Sequence, residues 1–140
     1  MIFLTSRFPF EAVQLLNQLR ITTQECINIF PTVEEAEANL YKIPDIVLLD
    51  DNLGLTNLLY LTQSIKIYDS KIEVVWFCAE EYKELHSLHE SYGVYQCFHK
   101  EQTSLELLSF TIMEICKREK EGQKQKRKEY LRKNLLSCLM

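Results

Sequence analysis

Two adjacent carboxylates, Asp50 and Asp51, close an unbroken apolar run of Ile46, Val47, Leu48 and Leu49, and Asn52 and Gly54 follow almost at once. Four apolar residues in succession suit a central strand buried on both faces of a parallel sheet. Charge placed where such a strand leaves the core falls where ligands and chemistry collect in open α/β sheets. Residues 44–54, P-D-I-V-L-L-D-D-N-L-G, are therefore the stretch to which the other elements must be fitted. The remaining candidates are weaker. His86 and His89 stand three apart on an expected helix, a spacing that can hold a metal, but no nearby Cys or third His completes a set, so they read as a solvated helix face and no metal site is assigned. The cysteines, Cys26, Cys78, Cys97, Cys116 and Cys138, are odd in number and never two residues apart as metal or redox pairs are, which reads as reduced thiols. No nucleophile and base stand at motif spacing, so the chain is not expected to be an enzyme.

Composition bounds what surrounds that stretch. A chain of 140 residues, 46% hydrophobic, closes one sizeable core and hardly two. No apolar run approaches the roughly 20 residues that span a bilayer, and residues 1–7 lack a basic region followed by a long apolar core, so a cytoplasmic protein without a membrane partner is expected. The formal net charge of −4 is unevenly spread. Residues 117–133 carry nine Lys or Arg against three Glu, about +6, which leaves seven basic and seventeen acidic residues, about −10, for the rest. The body is acidic and the tail basic.

Short apolar runs alternate with helical patterns along the chain. Ile2, Phe3 and Leu4 open a strand ending at Thr5 and Ser6; a helix with Pro9 in its first turn follows, through Val13, Leu15, Leu16 and Leu19. Residues 26–30 form a second strand, and Thr32 caps a helix whose first turn carries Glu34 and Glu35 against the helix dipole. After the central strand, Leu58, Leu59, Leu61 and Ile65 give a helix over residues 55–67 that covers one face of the sheet. Residues 72–79, I-E-V-V-W-F-C-A, are a buried strand; a helix over about residues 80–92 stops at Gly93; residues 94–99 make the fifth strand. The fifth helix starts after Thr103, which stands at capping-box spacing from Glu106, and places Leu105, Leu108, Ile112 and Ile115 on one face. Five strand-helix units require a parallel sheet with right-handed crossovers, and order 2-1-3-4-5 is the expected flavodoxin-like three-layer α/β sandwich. Residues 5–9 contain no Gly to cradle a phosphate after the first strand, which argues against nucleotide binding.

With these elements in place, P-D-I-V-L-L-D at 44–50, V-V-W-F-C-A at 74–79 and F-H-K at 98–100 resemble the third, fourth and fifth strands of a response regulator receiver domain, at matching intervals. The resemblance covers about residues 1–118 and leaves 119–140 as a basic C-terminal extension, either a helix or a tail. It implies that Asp50 stands where the family accepts a phosphoryl group from a histidine kinase, and that Lys100 stands where a lysine contacts the phosphate. A cation near Asp50 would favour its ionised, nucleophilic form, and an Asp–Lys ion pair with no phosphate chemistry satisfies the same two residues. Asp51 reads as a solvated neighbour. The departures are specific. Ser6 and Arg7 replace the acidic pair that holds Mg²⁺, so no cofactor, or weak Mg²⁺ at most, is expected, and Arg7 is a candidate to stand in for the cation's charge. Cys78 takes the place of the switching hydroxyl and Cys97 that of the switching aromatic, and a thiol is the weaker donor. The expected product is a degenerate receiver, a two-component signalling module with impaired phosphoacceptance that acts by protein–protein interaction.

The resemblance also implies a partner surface on the fourth helix, fifth strand and fifth helix, with His86, His89, Tyr92 and Tyr95 exposed on it and a histidine kinase or downstream effector as the partner. The alternative class is a nucleic-acid-associated protein working through Lys124 to Lys128 of the basic tail. Leu131, Leu135 and Leu139, four apart, could pack the tail on the body or on a partner, and a homodimer is left open.

Overall fold

The computed structural model describes residues 1–8, 17, 26–78, 83–99 and 105–139, with some of the last helix described as backbone alone. Five strands, β1 (Ile2–Thr5), β2 (Ile27–Phe30), β3 (Ile46–Asp50), β4 (Glu73–Cys78) and β5 (Gln96–His99), pair in parallel in the order β2-β1-β3-β4-β5. The expected architecture is therefore the one found, a flavodoxin-like α/β sandwich. The four described helices are α1 (Val33–Ala38), α2 (Leu55–Tyr68), α3 (Lys83–Leu88) and α4 (Leu105–Leu139). The helix expected from Pro9 lies outside the described residues.

Alternation along the strands divides the core between two faces. Phe3, Val47, Leu49, Val74 and Trp76 face one way and meet Val33 and Ala36 of α1, Leu58, Leu61 and Ile65 of α2, and Leu85 of α3. Ile2, Leu4, Ile46, Leu48, Val75 and Phe77 face the other way and meet Leu108, Ile112 and Ile115 of α4. These last three are among the four apolar positions expected to hold the fifth helix to the sheet; the side chain of the fourth, Leu105, lies outside those described. Trp76 is fully buried, and its indole N–H donates to Thr62 Oγ1 at 2.9 Å, while the Thr62 hydroxyl donates to the Leu58 carbonyl at 2.7 Å. A buried donor is thereby satisfied inside an apolar layer.

The helix ends follow local chemistry. Thr32 caps α1 as expected, its hydroxyl accepting from the Glu35 N–H at 3.2 Å. The helix expected over residues 80–92 is shorter than its apolar pattern suggests. It ends at Leu88 and passes into turns in which Ser91 and His89 bond back to the carbonyls of Leu88 and His86. Gly93, at φ +72°, supplies the left-handed residue that redirects the chain into β5. Ile43 adopts φ +52° after a short 3₁₀ turn, an unfavourable conformation for a β-branched residue.

Helix α4 runs unbroken for 35 residues. Cys116 is its last described buried residue, and every described side chain from 117 to 134 is exposed. Among the described residues, no helix is long and apolar enough to cross a membrane.

Candidate functional site

The ladder register decides which residues share an edge. Thr5 pairs with Phe30 and Leu49, Asp50 with Phe77, and Cys78 with His99, so Ser6, Asp50, Cys78 and His99 all leave the sheet at its C-terminal end. That is the edge where the strand-ending carboxylate was expected to work.

Around Asp50 the described polar groups are linked by hydrogen bonds. Its Oδ1 accepts the Asn52 N–H at 3.0 Å and so caps the 3₁₀ turn Asp51–Leu53; its Oδ2 accepts the Ser6 hydroxyl at 3.3 Å. The Asn52 side-chain amide donates to Ser6 Oγ at 2.8 Å, and its Oδ1 accepts the Arg7 backbone N–H at 2.9 Å. Ser6 is buried and Asp50 half-buried. Arg7 meets the site through its main chain and its side chain is exposed, so the arrangement in which its guanidinium replaces a cation beside Asp50 is not the one found. Asp51 differs from expectation too. It is buried, 4% exposed, because the Asp50-capped turn folds the chain back over the sheet edge and carries Asp51 inward. Gly54, at φ +92°, then permits the direct entry into α2.

The second chemical feature at this edge is a thiol pair. Cys78 and Cys97 are buried, and the Cys97 thiol donates to Cys78 Sγ at 3.0 Å. With Cys97 ionised the direction reverses, and a Cys78 S–H held against the thiolate lowers the Cys97 pKa from its ordinary value; burial and the charge of Asp51 act against this and raise it.

No family model matches the sequence, and no curated protein matches it. The fold does find relatives. A response regulator receiver domain protein from Clostridium thermocellum superposes with a TM-score of 0.76 at 15% identity, over 85% of this chain and 95% of that one. This chain has the receiver-domain fold. The receiver domain of NtrX from Brucella abortus superposes with a TM-score of 0.73 at 17% identity, over 82% of this chain and 97% of its own. The signal receiver domain of a DNA-binding response regulator from Colwellia psychrerythraea gives 0.73 at 22% identity, over 83% and 97%.

A hard divalent cation beside Asp50 would need several oxygen ligands and usually more than one carboxylate. Asp50 brings one carboxylate already bonded to Ser6 and Asn52, and the β1 end contributes a hydroxyl and an exposed Arg. Among the described residues, no cluster of three or more His, Cys, Asp or Glu forms a metal site. The donor set does not fit Mg²⁺.

Lys100 lies just beyond β5 and outside the described residues, as do Tyr82 and Thr103. The four residues expected to be exposed on the partner surface are instead half-buried. His86 stacks on His99 with ring centroids 5.9 Å apart; the His89 Nδ1–H donates to the His86 carbonyl at 2.7 Å. Tyr92 packs against Trp76 at 6.1 Å and Tyr95 against the opposite core cluster. Aromatic bodies beside a sheet edge are drawn into the layer they cover. The large apolar residues exposed nearby are Leu107, Phe110 and Met113, three apart along α4, with Leu88 at the end of α3. Their spacing was visible in the sequence as a second stripe beside Leu108, Ile112 and Ile115.

Proposed function

We propose that this chain is a degenerate receiver, a non-enzymatic two-component signalling module that works by binding a protein partner, with impaired Mg²⁺-dependent phosphoacceptance at Asp50. The observation that carries the reading is the hydrogen-bonded set of Ser6, Asp50 and Asn52. Among the described residues, a hydroxyl and a backbone N–H bond the carboxylate, and Ser6 and Arg7 stand where a second carboxylate would be needed to hold a cation. Cys78 and Cys97, buried against each other, leave the edge without the hydroxyl that would grip phosphate oxygens. The units of the reading are a receiver-like body over residues 1–118 and a basic helical extension over 119–140. The partner, a kinase or an effector, is assigned to the face of α3, β5 and the start of α4. Leu107, Phe110 and Met113 are its apolar contacts, and His86, His89, Tyr92 and Tyr95 are its half-buried support.

A small-molecule phosphodonor with Mg²⁺ should leave the intact mass unchanged. Stoichiometric phosphorylation of the wild type, lost in Asp50→Asn, refutes the reading. Partner affinity should survive Asp50→Asn and fall at least tenfold in Phe110→Ala, whose exposed side chain leaves the fold's stability within about 0.5 kcal/mol. A second reading, nucleic-acid binding through the extension, draws on the exposed Lys126, Arg127, Lys128, Arg132 and Lys133. It requires an affinity that falls steeply with salt and disappears when residues 119–140 are removed.

A further inference from the structure

Cys78 and Cys97 belong to adjacent strands and to the same core face, yet they are not ladder partners. Cys97 pairs with Trp76 and Cys78 with His99, so the two side chains reach diagonally across the β4–β5 seam and bring their sulfurs to 3.0 Å. A disulfide bond is about 2.05 Å long, so closure asks for roughly 1 Å of further approach. The strand that must move is β5, which is at the edge of the sheet and hydrogen-bonded to a strand on one side only. Cys26, by contrast, is exposed, and Cys116 is buried in the opposite core cluster, behind the sheet.

We propose that Cys78 and Cys97 are a reversible redox pair, oxidised by hydrogen peroxide to an intramolecular disulfide between β4 and β5. This assignment is independent of the signalling role proposed above. Cys97, 7% exposed where Cys78 is fully buried, is the sulfur that peroxide reaches first, and its thiolate is the form that Cys78 stabilises. The thiolate attacks one peroxide oxygen, forming an S–O bond as the O–O bond breaks, and the departing hydroxide takes a proton to become water. Cys78 then attacks the sulfenic sulfur; the S–S bond forms, the S–O bond breaks, and the second water leaves with the remaining thiol proton. Two thiols lose two electrons in total and the peroxide gains them. The short gap between the sulfurs favours this second step over further oxidation of the sulfenic acid. The product staples the edge strand to its neighbour just before the position of Lys100.

The test uses the full chain, reduced and folded, treated with hydrogen peroxide, then unfolded and alkylated. The reduced protein should take up alkyl groups on all five cysteines and the oxidised protein on three, with a mass two hydrogens lower before alkylation. Digestion should give one cross-linked pair containing Cys78 and Cys97, and dithiothreitol should restore five alkylatable thiols. Cys78→Ala should stop the mass loss and leave Cys97 as a trapped sulfenic acid. The proposal is overturned if the wild type, with no substitution to disturb its core, keeps Cys78 and Cys97 alkylatable. It is equally overturned if the cross-link found involves Cys26, Cys116 or Cys138.

Discussion

Replacing Ser6 by Asp tests whether a missing carboxylate is what separates this site from a cation site. The Ser6 hydroxyl lies 3.3 Å from Asp50 Oδ2 and is itself buried, so an Asp at this position brings a second carboxylate to within about 4 Å of the first. At an effective dielectric near 20, two like charges at that separation repel by about 4 kcal/mol. Part of this is relieved by solvent, because Asp50 is half-buried, so a loss of about 2–3 kcal/mol is expected in chelator. A divalent cation removes the repulsion and adds stability by mass action, about 2.7 kcal/mol at a hundredfold excess over its dissociation constant. Urea unfolding of wild type and Ser6→Asp, each with EDTA and with excess Mg²⁺, reads all four states. Ser6→Asp should show a large Mg²⁺-dependent rise in midpoint at constant slope, and the wild type little or none. An equal Mg²⁺ response in the wild type would refute the reasoning, since the hydrogen-bonded set would then already be a cation site.

Three further outcomes follow from the structure. Thr62→Val keeps the volume of the side chain but leaves the Trp76 indole N–H without its acceptor in a dry layer, which should cost about 1–3 kcal/mol in chemical unfolding. Ile43→Asn replaces a β-branched residue at φ +52° with one that tolerates the left-handed region, and should raise stability by about 1 kcal/mol. For Cys97, whose folded pKa lies below its ordinary value, the unfolded chain binds more protons in the window between the two. Stability from this thiol is therefore fully present above the unfolded pKa of about 8.5 and is lost as pH falls through the folded one; the rise should flatten in Cys97→Ser, measured by urea midpoints across that window.

The strands were legible because burial on both faces leaves no choice of residue type. Ile46 to Leu49 and Val74 to Phe77 are apolar throughout, and the structure buries every one of them. Helix ends were less legible. Tyr92 stands four residues after Leu88 and so continues the helical spacing, but Ser91 and His89 offer their side chains to nearby carbonyls, and a turn competes with another helical turn on nearly equal terms. Asp51 was misplaced because sequence assigns a charged residue after a strand to solvent, whereas a capped 3₁₀ turn can carry it inward. The thiol pair was invisible for a different reason. Cys78 and Cys97 are 19 residues apart, and only the register of β4 against β5 brings them together.

The same register explains how the fold can persist while its edge chemistry changes. Ile2, Phe3 and Leu4 of β1 and Ile46 to Leu49 of β3 are almost completely buried, and their packing fixes Thr5 beside Leu49. The residue after Thr5 must then meet the residue after Leu49, whatever either side chain is. A carboxylate at position 6 would face Asp50 with like charge and would require a cation to offset it. Serine removes that requirement, donates to Asp50 and accepts from Asn52, so the edge is satisfied by the chain's own groups. An exchange of side chains at such an edge therefore leaves the core packing intact, and serine at position 6 avoids the repulsion that a second carboxylate would bring.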